Sequence, residues 1–435
     1  MKCTTRSFVT DDDNDRISRL PDDVLVGILS LLLLKEAGRT SVLSYRWINL
    51  WKHIPSLDFD PGRRSELIGS DVLTKYLKWV DSVISSHKSP TLKQFRISFP
   101  LSKSNSNSIT RWLEFAFSKH VQRLELDFCI YFINTNRFPE GYLFAPPTTT
   151  LSDFKSLKAL SFKSVDLSGG AIEFFLRNCP LLEQLIVHSA RKLSKLEVCG
   201  SSLVLKHLEI VRCPFLKSLK VAAPSLTSLT IMDFEGVSLE NIPTLVDVSI
   251  TCKDNNVSLK SLLSVFSCCI SRLETLHIML VSCHDIRKKT DELCKFAEMT
   301  GLKKLVVEHY SFDDESLSRL AFLIRISPNL EEFVLKSRGF DGFAVRMPRR
   351  VYDDDDNDDD IWCRHEHLKV FEFCGYNGRT CDDALVECIL KNCIVLEKII
   401  IDPCIEYSYN RFSRSYMEKC ARTKAKKHHV EFVIR

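Results

Sequence analysis

The side chains best suited to chemistry lie in one short run, Cys363, His365 and His367, whose thiol and imidazole groups are donor types that bind zinc. Such a run supplies at most half a site. No second pair of ligands lies nearby at the spacing of a standard zinc pattern, so the run reads as linker and no metal is expected. His207 and His277 come next, because imidazole exchanges protons near neutral pH. Neither has a sequence-local acid or nucleophile at a spacing that suggests catalysis. There is no phosphate loop, nucleophile elbow or paired-carboxylate motif. The chain is therefore read as a non-enzyme, with no catalytic residue and no cofactor.

What positions the remaining side chains is a large folded protein. Its 435 residues are 45% hydrophobic and 27% charged, ordinary values for a chain that buries a sizeable core. With 60 basic and 56 acidic residues, the net charge of +4 is too weak a field for typical nucleic-acid binding. Residues 1–15 form an acidic tail, expected to be disordered, with Asp11, Asp12, Asp13 and Asp15 and no signal-peptide core. The longest apolar run, Ile28 to Leu34, falls far short of the roughly 20 residues that span a bilayer. An intracellular location, cytoplasmic or nuclear or both, is expected, without membrane contact. The 17 cysteines are odd in number and scattered, which predicts reduced thiols. Cys179, Cys213, Cys393 and Cys404 fall where small apolar residues pack.

Residues 16–60 are patterned as a small helical module. Pro21 suits a first helical turn, and Asp22 and Asp23 complement the positive end of the helix dipole. Leu20, Val24, Leu25, Ile28 and Leu29 recur at steps that make an apolar stripe. A second helix is expected from Lys35 to Leu43, and a third from Ser44 to Trp51 with Trp47, Leu50 and Trp51 on one side. Three short helices cannot hide this much apolar surface, so part of it should face a partner. The order Leu20-Pro21-Asp22-Asp23-Val24-Leu25, Ile28-Leu29-Ser30, Arg39-Thr40-Ser41-Val42-Leu43-Ser44, Arg46-Trp47 and Leu50-Trp51 resembles the F-box of the large plant F-box family. That resemblance implies binding to a Skp-type adaptor and, through it, a cullin-based ubiquitin ligase. The implied adaptor contacts are Leu20, Pro21, Val24, Leu25, Ile28, Leu29, Val42, Leu43, Ser44, Trp47 and Trp51. Leu32-Leu33-Leu34, Gly38, Tyr45 and Ile48 depart from the family pattern, and Gly38 in a helix should cost about 1 kcal/mol relative to alanine.

From 61 to 352 one hexad recurs, a leucine followed by two variable positions, an apolar one, a variable one and another apolar one. Leu157-Lys158-Ala159-Leu160-Ser161-Phe162 and Leu182-Glu183-Gln184-Leu185-Ile186-Val187 are examples. Its last three positions alternate in, out, in, the period of a strand with one buried face. Leucine-rich repeats use this arrangement, which predicts an α/β solenoid: a horseshoe with a parallel β-sheet inside and helices outside. Steps of 29 and 28 residues from Leu273 to Leu302 to Leu330 leave room for a helix, such as the one expected over 313–323. Steps of 11, 12, 11 and 10 residues between Leu182 and Leu226 do not, so alternate hexads there should form strands on opposite faces. The outward concave positions, Gln184, Ile186, His207, Glu209, Asp247, Ser249, Thr275, His277, Lys304, Val306, Glu332 and Val334, have the mixed character of a protein-binding surface.

An acidic loop over 353–360 separates the repeats from residues 361–435. There, a strand around Leu368 to Phe373, Gly375, a helix over 382–392 and a strand at Leu396 to Ile401 resemble the FBD domain that ends many plant F-box proteins. A basic stretch, Arg422, Lys424, Lys426 and Lys427, precedes a closing strand that caps the solenoid. The resulting expectation is a substrate receptor, with an adaptor at the module and an unknown client protein on the repeats. Two alternatives stay open: a sensor whose repeats bind a small molecule that completes the client site, and an interaction scaffold with weak adaptor binding.

Overall fold

The computed structural model describes residues 17, 19–62, 70–129, 142–144, 154–232, 235–252, 264–280, 298–309, 321–337, 364–376, 380–402 and 430–434. The acidic tail, the acidic run 353–360, Cys363, Cys404, the basic stretch and most of the helix expected over 313–323 lie outside them. The chain divides into two compact units, Met1–Asp166 and Leu167–Arg435.

The first unit opens with helices α1 (Asp22–Leu29) and α2 (Leu34–Arg39). The second helix stops well before Leu43, and the expected third helix is a chain of 3-10 turns at Tyr45–Ile48 and Leu50–His53. Local conformation explains the difference: Thr40 Oγ1 donates to the Ala37 carbonyl at 2.7 Å, and the Ser44 backbone is extended at φ −165°. Leu25, Leu29, Ala37, Trp47, Leu50 and Ile54 nevertheless form one small core.

The repeat sheet starts earlier than the boundary at residue 60. Strand β1 (Ser56–Phe59) follows the module directly and pairs in parallel with β2 (Gln94–Ser98), which continues to β3 (Arg123–Asp127) and β4 (Ala159–Lys163). In register across these strands, Leu57, Phe95, Leu124 and Leu160 form a core column with at most 1% exposure. Helices α3 (Ser70–Ser86) and α4 (Ser106–Ser118) connect them, and Ile109, Trp112, Leu113, Ala116 and Phe117 are the buried face of α4. Helix α3 is fastened to the module: His87, just beyond it, meets the Ile54 carbonyl through Nε2 at 2.9 Å, and the Lys88 N–H donates to the Lys52 carbonyl.

The second unit begins with α5 (Gly169–Asn178), capped by Ser168 Oγ, which accepts from the Ala171 N–H. Strands β5 (Gln184–His188), β7 (His207–Val211), β9 (Ser228–Met232), β11 (Asp247–Cys252), β12 (Thr275–Leu280), β13 (Lys304–His309) and β14 (Glu332–Ser337) then form a parallel ladder. Between them, β6 (Lys195–Cys199), β8 (Ser218–Ala222) and β10 (Val237–Leu239) build a separate parallel sheet. Alternate hexads from Leu182 to Leu226 therefore do supply opposite faces, with no helix between Leu196 and Leu205. A strand of five residues and two turns use the whole 10 to 12 residue step. Sharp turns are set by Ser189 and Arg212, both left-handed at φ 57° and 56°, directly after β5 and β7.

A short helix α6 (Ala321–Arg325) precedes β14, and β15 (Val370–Cys374), α7 (Thr380–Asn392), β16 (Lys398–Asp402) and β17 (Glu431–Ile434) follow. The last three strands extend the ladder in unbroken parallel register from Glu332–Val370 through Val370–Lys398 to Lys398–Glu431. Residues of the C-terminal segment thus continue the repeat architecture, with β17 as its final strand. The fold is a leucine-rich-repeat α/β solenoid preceded in the chain by a small helical module.

Candidate interaction surfaces

In α1, positions four apart point the same way, so Leu25 and Leu29 take the core while Val24 and Ile28 form a second stripe facing solvent. This divides the residues implied by the resemblance. Leu25, Leu29 and Trp47 are buried in the module and hold its shape. Leu20 and Trp51 are half-buried against that core. Pro21, Val24, Ile28, Val42, Leu43 and Ser44 are exposed, with Val42 and Leu43 at 88% and 63%. Leu31, Leu33 and Tyr45, which the resemblance did not include, are more than half exposed beside them in sequence, and Leu32 and Ile48 are exposed as well. Their apolar type in a module with a closed core was the available signal. Arg46 fixes the turns against α1: its guanidinium donates to Asp22 Oδ1 at 2.6 Å and to the Leu20 carbonyl at 2.5 Å. A folded module with this much unsatisfied apolar surface gains about 25 cal/mol for each Å² a partner covers.

The proposed client positions all fall on the outward rows of the ladder. His207 is exposed, and Gln184, Ile186, Glu209, Asp247, Ser249, Thr275, His277, Lys304, Val306 and Glu332 are half-buried. Val334 is a correction: although it points to the outward row in register with Val306, only 6% of it is exposed, so it is not a free contact. Neighbouring strands pair several polar groups along these rows. Ser228 donates to Asp247 at 3.0 Å, Lys304 pairs with Glu332 at 2.9 Å, and His188 meets Glu209 at 2.7 Å. Within the first unit, Arg96 reaches Asp58, Asp60 and Glu125 within 3.5 Å, and Lys163 holds Glu125 at 2.8 Å. Burial outweighs Arg96 there and leaves the Asp58 carboxyl above its ordinary range. The same burial, reinforced by Asp58 and Asp60, raises Tyr76 well above the usual phenol value.

Tertiary structure gives His277 the partners its local sequence lacks. Ser249 Oγ lies 3.4 Å from its Nδ1, Glu308 Oε1 lies 3.3 Å from its Nε2, and Lys336 holds the same carboxylate oxygen at 2.9 Å. Glu308 is 4% exposed, and a carboxylate that buried needs its cation. It escaped the sequence because it sits two residues beyond Val306, the outward position chosen on β13. Serine, histidine and glutamate are the types used for acyl transfer, but these three stand on interior strands whose backbone N–H groups are spent in the ladder.

His365 and His367 are committed to backbone: Nε2 of His365 meets the Ser327 carbonyl at 2.9 Å, and Nδ1 of His367 meets the Pro328 carbonyl at 3.0 Å. Among the described residues, no group of three or more His, Cys, Asp or Glu side chains is arranged to hold a metal ion. No helix among them is long and apolar enough to cross a membrane. Cys179 and Cys393 lie in the core, where burial pushes both thiols up to about 12.

The family model described as At1g61320/AtMIF1, LRR domain, matches residues 83–431. The chain is 27% identical over 407 residues to the FBD-associated F-box protein At4g10400 of Arabidopsis thaliana, covering 87% of this chain and 90% of the relative. It is 27% identical over 409 residues to the putative F-box/FBD/LRR-repeat protein At4g13965 of the same plant, covering 86% of each. The F-box/FBD/LRR-repeat protein At4g00160, also from Arabidopsis thaliana, is 34% identical over 188 residues, which are 40% of this chain and 41% of that protein.

Proposed function

Since this chain belongs to the plant F-box/FBD/LRR-repeat family, we propose that it is a substrate-recognition subunit of a Skp-cullin-F-box ubiquitin ligase. The module docks a Skp-type adaptor, the adaptor links it to a cullin, and the outward rows of the repeats bind a client protein. The chain performs no chemistry itself. One observation carries this reading: the module has a closed core of its own and still exposes Val24, Ile28, Val42 and Leu43. The mixed groups from Gln184 to Glu332 suit a protein client, because they combine apolar, acidic, basic and imidazole side chains on the outward rows.

The test is co-purification with a Skp-type adaptor, comparing wild type with Val24→Asp/Ile28→Asp. These positions are exposed, so the variant keeps the module's core while placing charge on the docking stripe. Recovery should fall at least about tenfold, as expected for central interface residues. Undiminished recovery, or failure of the wild type to bind, would overturn the docking assignment.

A further inference from the structure

One column of the repeat core carries an imidazole where its described neighbours carry none. Three residues before the hexad leucine stand Cys179, Ala223, Ile242, Met299 and Ser327, each at most 3% exposed. In these repeats the leucine N–H closes the turn on the backbone carbonyl three residues earlier: Leu182 on Cys179, Leu226 on Ala223, Leu245 on Ile242, Leu302 on Met299 and Leu330 on Ser327. The residue at this position before Leu368 is His365, 5% exposed.

Its ring does what the carbonyl does elsewhere. The Leu368 N–H donates to His365 Nδ1 at 3.0 Å and the His367 N–H donates to the same atom at 3.3 Å. The His365 carbonyl is engaged by the Ile394 N–H at 3.2 Å, and its own N–H donates to the Asn392 carbonyl. Because Nδ1 faces two donors, it must be the acceptor, and the proton belongs on Nε2, which donates to the Ser327 carbonyl at 2.9 Å. The neutral imidazole therefore joins the turn after α6 to the approach to β15, while the backbone of the same residue holds the turn after α7.

We propose that His365 is an acid-sensitive latch: protonation makes Nδ1 a donor aimed at two N–H groups, breaks the turn before β15 and loosens the ladder between β14 and β16. The charged or titratable groups on the three segments are Arg364, Glu366 and His367 beside it, Arg325 before Ser327, Lys391 in the last turn of α7 and Cys393 just after it. No carboxylate among them is paired with the ring, and a charged His367 opposes its protonation. Burial likewise lowers the ring's affinity for a proton below the ordinary histidine value. The unfolded chain consequently binds the proton more readily than the folded one. The latch contributes fully above the unfolded value of about 6.5 and is lost as pH falls through the lower folded value. The strands it holds carry Glu332 of the outward face, so a loss of client binding in acid would follow as well, a consequence that rests on the client-binding proposal.

The test is thermal unfolding of the full chain between pH 7.5 and 5, wild type against His365→Met, which copies the residue found in this column at Met299. The wild type should lose up to about a tenfold larger factor in folding equilibrium per pH unit than the variant. Hydrogen exchange on the wild type serves independently of that variant: the Leu368 amide should lose protection in acid while Leu330 and Leu302, bonded to carbonyls, keep theirs. Parallel unfolding profiles, or Leu368 protection that follows Leu330 across the range, would overturn the latch. Neither readout uses adaptor or client, so failure here is distinct from failure of the proposed function.

Discussion

Gly38 in α2 has no atom within 4 Å of where a Cβ would sit, and its conformation does not demand glycine. Its cost is therefore the conformational freedom it brings to the unfolded chain, uncompensated by any close approach. Gly38→Ala should raise stability by about 1 kcal/mol, read as a higher denaturant midpoint at unchanged slope. The same residue-scale logic divides the apolar residues of the module. Leu25 and Val24 are adjacent and chemically alike, yet one is fully buried and the other 42% exposed. Sequence placed both on one stripe, because a helical pattern marks a broad apolar face and cannot say how much of it the module itself covers.

Among the elements, α5 depends on its neighbour in a way its own sequence hides. A Cβ on Gly169 would lie 2.2 Å from the Lys195 carbonyl oxygen, so the first turn of α5 can approach β6 only with glycine there. Gly169→Ala, usually favourable in a helix, should instead destabilise by about 1–3 kcal/mol, measurable by chemical denaturation against Gly170→Ala, where the space is open. A neutral or stabilising Gly169→Ala would show that the helix shifts freely. Strand positions were legible because the hexad alternates with a period that only one buried face explains. The third module helix was not, since Ser44 is extended and Thr40 bonds back to the Ala37 carbonyl, and a helical apolar spacing becomes 3-10 turns.

At the scale of the molecule, each strand buries its apolar column only by stacking on the next, so the end of the ladder matters as much as its middle. Ile399, Ile400 and Ile401 of β16 are at most 8% exposed, and β17 pairs along that strand. A chain ending at Asp402 should expose this edge and self-associate, appearing as higher-mass species in light scattering; a monodisperse monomer would show that β17 is dispensable. Sequence alone determined the repeat architecture, the alternation of opposite-facing strands from Leu182 to Leu226 and the helical module ahead of them, because each follows from local spacing and step length. Only the tertiary structure decided which apolar residues of the module stay outside, that Val334 is covered, that Ser249, Glu308 and Lys336 gather around His277, and that His365 replaces a backbone carbonyl in a core column. The His277 cluster and the His365 contact bring together residues 28 to 38 apart in the chain, and no local pattern encodes which side chains meet at such a separation.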